Sequence, residues 1–354
     1  MNQKTFDLLL FNFLAIVCGL VCSGLMLLIL NEDPIRIFGI LFTSVMRDKF
    51  TIADIFVKAT PLIFTALAFA VTFKANLFNI GAQGQFYIGA VIAVASSLFF
   101  ENFMPPVIGL ILIFLLTLLG GGLYGAFIGF VKARLNANEF LVSMMSTYVA
   151  LAVMNYLLRT FLMETKGEYP QTDTIQSHYR LPVFMNETRL HIGFIIAVAI
   201  AVLIWVILYK TSLGYRIRAV GYNRNASQLA GVNTRRVFII AFFISGALAA
   251  LAGYTEINGS QYMLLQGFNT TIGATGIGIA ILSNANPIGI IFSSILFGAL
   301  IVGGNILGQV TNIPPSIIPL MEGYVMIFVL VAYFVRMKVE SRREKRRLQK
   351  AVNT

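Results

Sequence analysis

Two asparagines, Asn76 and Asn79, two glutamines, Gln83 and Gln85, and three glycines, Gly81, Gly84 and Gly89, stand together in "NLFNIGAQGQFYIGA" (residues 76–90), between two long apolar runs. The chemistry such amides offer is hydrogen bonding to polar groups of a solute. Lone amides are expensive in hydrocarbon, and irregular backbone survives at membrane depth only when buried in protein or lining a cavity. Asn79 can cap a helix starting near Ile80, after which Gly81, Gln85 and Gly89 share one face. Read so, the stretch is a broken helix whose positive end faces polar solute groups. The other reading, a simple cytoplasmic turn between two spans, is favoured by Lys74 just before it. Both stay open at this level.

Covalent chemistry has little to work with. There is no G-x-x-x-x-G-K-[ST] phosphate loop, so the chain should not hydrolyse nucleotide itself. No H-E-x-x-H occurs, and the two histidines, His178 and His191, both fall in segments assigned to the outer side. No Ser/His/Asp set can be placed at one membrane depth. The expectation is a protein that is not an enzyme, with no catalytic residue, metal or cofactor. Asp54, Glu101, Glu256 and Glu322 fall at expected outer ends of spans, where water is close, which weakens a proton relay. An ion-coupled secondary transporter remains the alternative of another class.

These groups need a membrane scaffold. The chain is 58% hydrophobic and 12% charged, and apolar runs near the ~20 residues that cross a bilayer recur along it. The fold class expected is an all-α polytopic membrane protein; a barrel would show short alternating segments instead. About ten spans are expected: 8–30, 54–73, one from the amide stretch to 100, 105–131, 139–162, 191–209, 237–254, a short glycine-rich one at 271–282, 287–308 and 319–335. The first run is too long for a signal-peptide core and reads as a retained helix. Cys18 and Cys22 within it read as small packing residues. An apolar patch between the first two spans suggests a helix lying at the interface. Most of the 26 Lys and Arg lie on the side of both termini, and most acids on the other, so both termini should be cytoplasmic.

Two further features have ready explanations. Gly121, Gly125 and Gly129 recur every four residues, a row that lets helices approach closely within lipid, and Gly304 and Gly308 read likewise. The tail beyond Arg336 is basic enough to be drawn to anionic membrane lipid, and nucleic acid is not an expected partner.

The segment 210–236, "KTSLGYRIRAVGYNRNASQLAGVNTRR", holds Lys210, Arg216, Arg218, Arg224, Arg235 and Arg236 and no acid. Its centre reads as a short helix capped by Asn223 or Asn225, with Ala226, Leu229 and Ala230 as a small apolar face and Gly231 as its end. A plain positive-inside loop would explain the charges but not the capped, alanine-rich helix. Here "GYRIRAVGYNRNASQLAGV" resembles the cytoplasmic coupling segment of ABC importer permeases that serve simple sugars, branched-chain amino acids and nucleosides. "NLFNIGAQGQFYIGA", "NEFLVSMMSTYVA" (138–150) and "IGIAILSNANPIGI" (277–290) resemble the same family, most closely its nucleoside branch.

That resemblance implies a bacterial plasma-membrane permease subunit that imports nucleosides with energy from a separate ABC ATPase. It implies a second permease chain, identical or not, and an extracytoplasmic substrate-binding lipoprotein as partners. Gly221, Asn223, Ala226, Ala230 and Gly231 would form the element that docks on the ATPase. Residues 1–335 would be one permease domain and 336–354 a basic cytoplasmic tail. A nucleoside needs amides and hydroxyls for ribose and base edges, and aromatic surface for stacking. Polarity and expected depth nominate Asn79, Gln83, Gln85, Ser143, Thr147 and Asn155, with Phe86 and Tyr148 for stacking. A simple sugar or a branched-chain amino acid is the alternative substrate.

Overall fold

The structure is a computed structural model that describes residues 3–29, 32–101, 103–185, 187–311 and 317–352. Among these it contains thirteen α-helices: α1 (Gln3–Ile29), α2 (Pro34–Val45), α3 (Lys49–Lys74), α4 (Ala82–Phe100), α5 (Pro106–Leu135), α6 (Glu139–Arg159), α7 (Gly193–Lys210), α8 (Ser212–Tyr222), α9 (Arg224–Leu229), α10 (Thr234–Glu256), α11 (Ile272–Leu282), α12 (Pro287–Val310) and α13 (Ile317–Val352). A π-helical turn, Ile257–Gln261, continues α10. Pairing outside helices among the described residues is limited to two isolated antiparallel bridges, Gln171 with Leu265 and Val183 with His191.

The helix starts follow from short polar residues that accept the orphan backbone N–H groups of a first turn. Asp48 accepts from Thr51 N at 2.7 Å, Asn138 from Phe140 N at 3.0 Å, and Asn233 from Arg236 N at 3.1 Å. At the other end of α3, Asn76 adopts a left-handed φ of 56°. The Leu77 N–H then bonds back to Thr72 O at 3.0 Å, which closes the helix.

All the expected spans correspond to helices, but not all are long enough to span. Eight helices among the described residues are long and apolar enough to cross a membrane; the stretch Leu14–Ile29 of α1, α2 and α11 are apolar but shorter. The expected eighth span is α11, whose 11 residues rise only about 16 Å against a hydrocarbon core of about 30 Å. The expected interfacial helix is α2, and the basic tail continues α13 as helix to Val352.

Contacts divide the chain into two compact units, residues 1–47 with 299–354, and residues 48–298. In the first, Leu27, Ile37, Leu41, Leu307 and Met321 form a core, and Gly19 lets α1 meet α13 so closely that a Cβ there would lie 2.6 Å from Val325 Cα. Gly308 has no atom within 4 Å of where a Cβ would stand, so the close packing expected of it is not found. Cys18 is exposed rather than packed, and Cys22 is half-buried; both are free thiols.

In the second unit α10 is wedged between α3, α4 and α5. The glycine row of α5 faces it as expected: a Cβ on Gly121 would stand 2.7 Å from Gly246 O, one on Gly129 2.9 Å from Ile239 Cα, and one on Gly125 would overlap Phe242 O. Backbone meets backbone there. Ser245 and Glu256, on another side of α10, belong to the site.

Candidate functional site

The amide stretch is a climb and not a tight turn. After α3 ends at Lys74, residues 75–81 run back along it before α4 begins at Ala82. Asn79 Nδ2 donates to Ser245 Oγ at 2.8 Å, and Ser245 Oγ donates to Ala68 O at 2.6 Å. Asn79 therefore lies level with Ala68, six residues or about 9 Å inward from the end of α3. Asn79 Oδ1 accepts from Gly81 N at 3.0 Å, but the cap position of α4 is Gly81, with no side-chain cap. The capping expected of Asn79 is therefore not found, and the helix begins at Ala82 instead of near Ile80.

The N-terminus of α11 arrives at the same depth. Thr65 on α3 lies beside Gly276 and Lys74 Nζ donates to Asn284 O at 3.0 Å, so α11 runs alongside the inner half of α3. Gln83 joins the two helix starts. Its Oε1 accepts from Gly273 N at 2.6 Å, and its Nε2 donates to Asn269 O at 2.8 Å. Asn269 Nδ2 in turn donates to Glu256 Oε1 at 2.9 Å. The same carboxylate oxygen lies 3.8 Å from Lys58 Nζ. Glu256 is 1% exposed, so the expectation that water is close to it is corrected: the segment 262–271 covers it. Phe268 from that segment stacks on the buried ring of Phe86, centroids 5.3 Å apart at 13°.

Of the remaining nominated residues, α6 brings two to the junction. Ser143 Oγ accepts from Ile80 N at 3.2 Å and a Cβ on Gly84 would lie 2.7 Å from Thr147 Cα. Gln85 accepts from Asn79 Nδ2 at 2.8 Å, while its own Nε2 is buried without a partner. Asn155 lies two turns beyond Thr147, its Oδ1 also buried and unpartnered. Tyr148 is 62% exposed and stands outside the junction. Glu256, Ser245, Asn269, Lys58 and Phe268 were not nominated. Ser245 had a visible signal, a hydroxyl within a run of small apolar residues.

The coupling segment folds as a helix pair. Asn223 Oδ1 accepts from Ala226 N at 3.0 Å to start α9, and Gly231 closes it at φ 83°. Asn223, Ala226, Ala230 and Gly231 are exposed, as is Leu229 at 92%. Gly221 instead packs inward, its Cα directly against the backbone of Lys74. Lys74 thus touches α8 through its carbonyl and the α11–α12 turn through its ammonium. That turn is tight, with Asn284 and Ala285 both left-handed at φ 54° and 52°.

The far ends of these helices are closed by two buried rings. Tyr179 donates to Met104 O at 2.7 Å and burial pushes its phenol pKa up. His191 Nδ1 accepts from Gly193 N at 3.2 Å; burial lowers its pKa to about 4, so the imidazole is neutral.

A helical scaffold with many membrane-crossing segments, built round a junction of buried amides and bearing a capped helix on exposed basic loops, is that of a multi-pass membrane transport protein. The chain belongs to the family described as branched-chain amino acid transport system/permease component, whose profile matches residues 51–330. Within it the chain is an ABC-importer permease of the simple-sugar and nucleoside type. It is 31% identical to the guanosine ABC transporter permease protein NupP of Bacillus subtilis, over 94% of this chain and 96% of that one. It is 32% identical to the nucleoside ABC transporter permease protein NupB of Lactococcus lactis subsp. cremoris, over 95% and 94%. Identity to the glucose ABC transporter permease protein TsgB13 of Haloferax volcanii is 30%, over 91% and 87%.

Proposed function

We propose that this chain translocates nucleosides across a bacterial plasma membrane as the permease subunit of an ATP-driven importer. Its partners are a separate ABC ATPase docked on α9, a second permease chain, identical or not, and an external binding lipoprotein. One observation carries the reading: the N-termini of α4 and α11 meet level with the inner half of α3 and are joined by the side chain of Gln83. Helix N-termini and amides suit a neutral solute rich in hydrogen-bonding groups. The one charged pair at the junction, Lys58 with Glu256, is engaged with itself, which leaves no free charge for a zwitterionic amino acid. Gln85 Nε2 is a buried donor with capacity to spare. The Phe86–Phe268 stack favours a solute with an aromatic ring, which would take the place of Phe268 on Phe86. The glucose permease among the relatives favours a second reading, a simple sugar, which would use the amides and leave the ring stack unbroken.

Coupling runs from the ATPase to the junction in this proposal. Closure of the ATPase moves α9 and α8; Gly221 presses on Lys74; Lys74 Nζ draws the α11–α12 turn; and α11 releases its Gln83 bonds for solute groups to replace. Side-chain bonds of this kind, each with a net worth of about 1 kcal/mol, exchange readily. The test is uptake of radiolabelled nucleosides in cells deleted for this chain. Loss of nucleoside uptake is expected; unchanged uptake of every nucleoside, with loss of glucose or amino-acid uptake, would refute the substrate.

A further inference from the structure

The coupling segment carries a second feature beside its docking helix, and the two share Ala230 and Gly231. A cleft of about 480 Å³ opens between the start of α8, the α9–α10 turn and the first turns of α10, within the ~300–1,000 Å³ typical of small-molecule sites. Its two charged residues are Arg216 and Arg236, both exposed, and the whole segment 210–236 holds no acid to neutralise them. Its other end is apolar: Leu213, Val237 and Ile240 line it. Ile240 lies six residues, or about 9 Å, along α10 from Thr234, and α10 is one of the helices that cross the membrane.

The cleft is therefore basic at the membrane surface and apolar where it runs along a spanning helix. We propose that it binds one anionic phospholipid, the phosphodiester held between the guanidiniums of Arg216 and Arg236 and the acyl chain laid along Leu213 and Ile240. Guanidinium forks match phosphate oxygens bidentately, and the polarity gradient matches an amphiphile lying at the interface. An acidic patch on a cytoplasmic partner could meet the arginines but not the apolar end. The lipid would bridge α8 to α10 and so hold the base of the coupling helix.

The experiment uses the intact permease–ATPase complex purified in detergent. Phosphatidylglycerol, phosphatidylcholine or inorganic phosphate is titrated in, and bound mass is read by native mass spectrometry. The wild type should retain phosphatidylglycerol in at least fivefold preference to phosphatidylcholine, and millimolar phosphate should not displace it. The double variant Arg216→Gln with Arg236→Gln should lose that preference. Arg216→Lys with Arg236→Lys, which keeps the charges without the forks, should fall between it and the wild type, and Arg235→Gln, outside the cleft, should change it less than twofold. The proposal is overturned by equal retention of the two lipids, or by an equal loss in Arg235→Gln. Displacement by free phosphate, or retention by the isolated permease but not by the complex, would overturn it too; the last would make the cleft part of the ATPase interface.

Discussion

Helix α10 meets its neighbours in two opposite ways. Towards α5 it offers Gly246 to the row Gly121, Gly125 and Gly129, and along that row the contact is backbone on backbone; one polar side chain, Tyr254, reaches α5 beyond it, donating to Leu110 O at 3.4 Å. Against α4 it also packs backbone on backbone, Gly89 on Ala250 and Gly253 on Phe86 and Ala90. Ser245 and Glu256, by contrast, reach the segments 75–81 and 262–271 through side-chain hydrogen bonds, Ser245 with Asn79, and Glu256 with Asn269, whose carbonyl accepts from Gln83. Close apolar packing without side-chain adaptors has one geometry, because interiors are dense and resist small shifts. Hydrogen bonds between flexible amides can be traded one for another. The first face suits a fixed frame and the second a moving part.

Four substitutions or conditions separate the two faces, in descending order of effect. Gly125→Leu puts a branched side chain where Phe242 O already stands; a loss of more than about 3 kcal/mol is expected, beyond ordinary overpacking. It should appear as little folded protein recovered in detergent, and recovery near wild type would show the frame to be loose. Gln83→Leu leaves Gly273 N and Asn269 O unpaired, at about 1–3 kcal/mol each. Because the helices themselves are untouched, folded protein should still be recovered while uptake falls at least tenfold. Normal uptake would remove the junction from the mechanism.

The third concerns the outer end of α10, where the neutral, buried His191 packs against Gly259 of the π-helical turn. Its folded pKa is depressed to about 4 from about 6.5 in the unfolded chain. As pH falls, the unfolded state binds the proton first, so stability is full above pH 6.5 and is lost between there and 4, on the order of 3 kcal/mol in all. A thermal-unfolding series should show this fall, and His191→Gln should flatten it. The smallest effect is that of Glu256→Gln. The amide oxygen still accepts from Asn269 and Gln261. The 3.8 Å approach to Lys58 is lost, but Lys58 is 32% exposed and keeps its water. The desolvation cost of the buried carboxylate goes with the charge, so a change of about 1 kcal/mol or less is expected in the same assay. A larger loss would make the charge itself part of the junction.

The apolar face was legible in the sequence and the polar face only in part. A four-residue glycine row needs nothing but helical periodicity to be read, and local capping rules announced α9 and its end at Gly231 while leaving its start to Asn223 or Asn225. Asn79, Gln83, Gln85 and Ser143 were recognisable as amides and a hydroxyl misplaced in apolar surroundings. Their partners were not. Glu256 looked solvent-exposed because it stands near a helix end, and its burial depends on Asn269 and Phe268, which follow a π-helical turn that local pattern does not reveal. Tyr148 shares the helix of Ser143 but points to the outside, a matter of a single helical step. The length of α11 was readable; that its N-terminus meets that of α4 was not, because that contact spans 190 residues of sequence.

The comparison between the two faces is tested most directly by hydrogen–deuterium exchange on the reconstituted complex, idle and then turning over with ATP, binding protein and a nucleoside. Turnover should raise exchange at residues 80–86 and 272–276, where Gln83 ties α4 to α11, and leave 121–129 and 239–250 as they were. Exchange that rises equally on both faces of α10, or that rises along the glycine row while the amide junction stays protected, would contradict the division into frame and moving part.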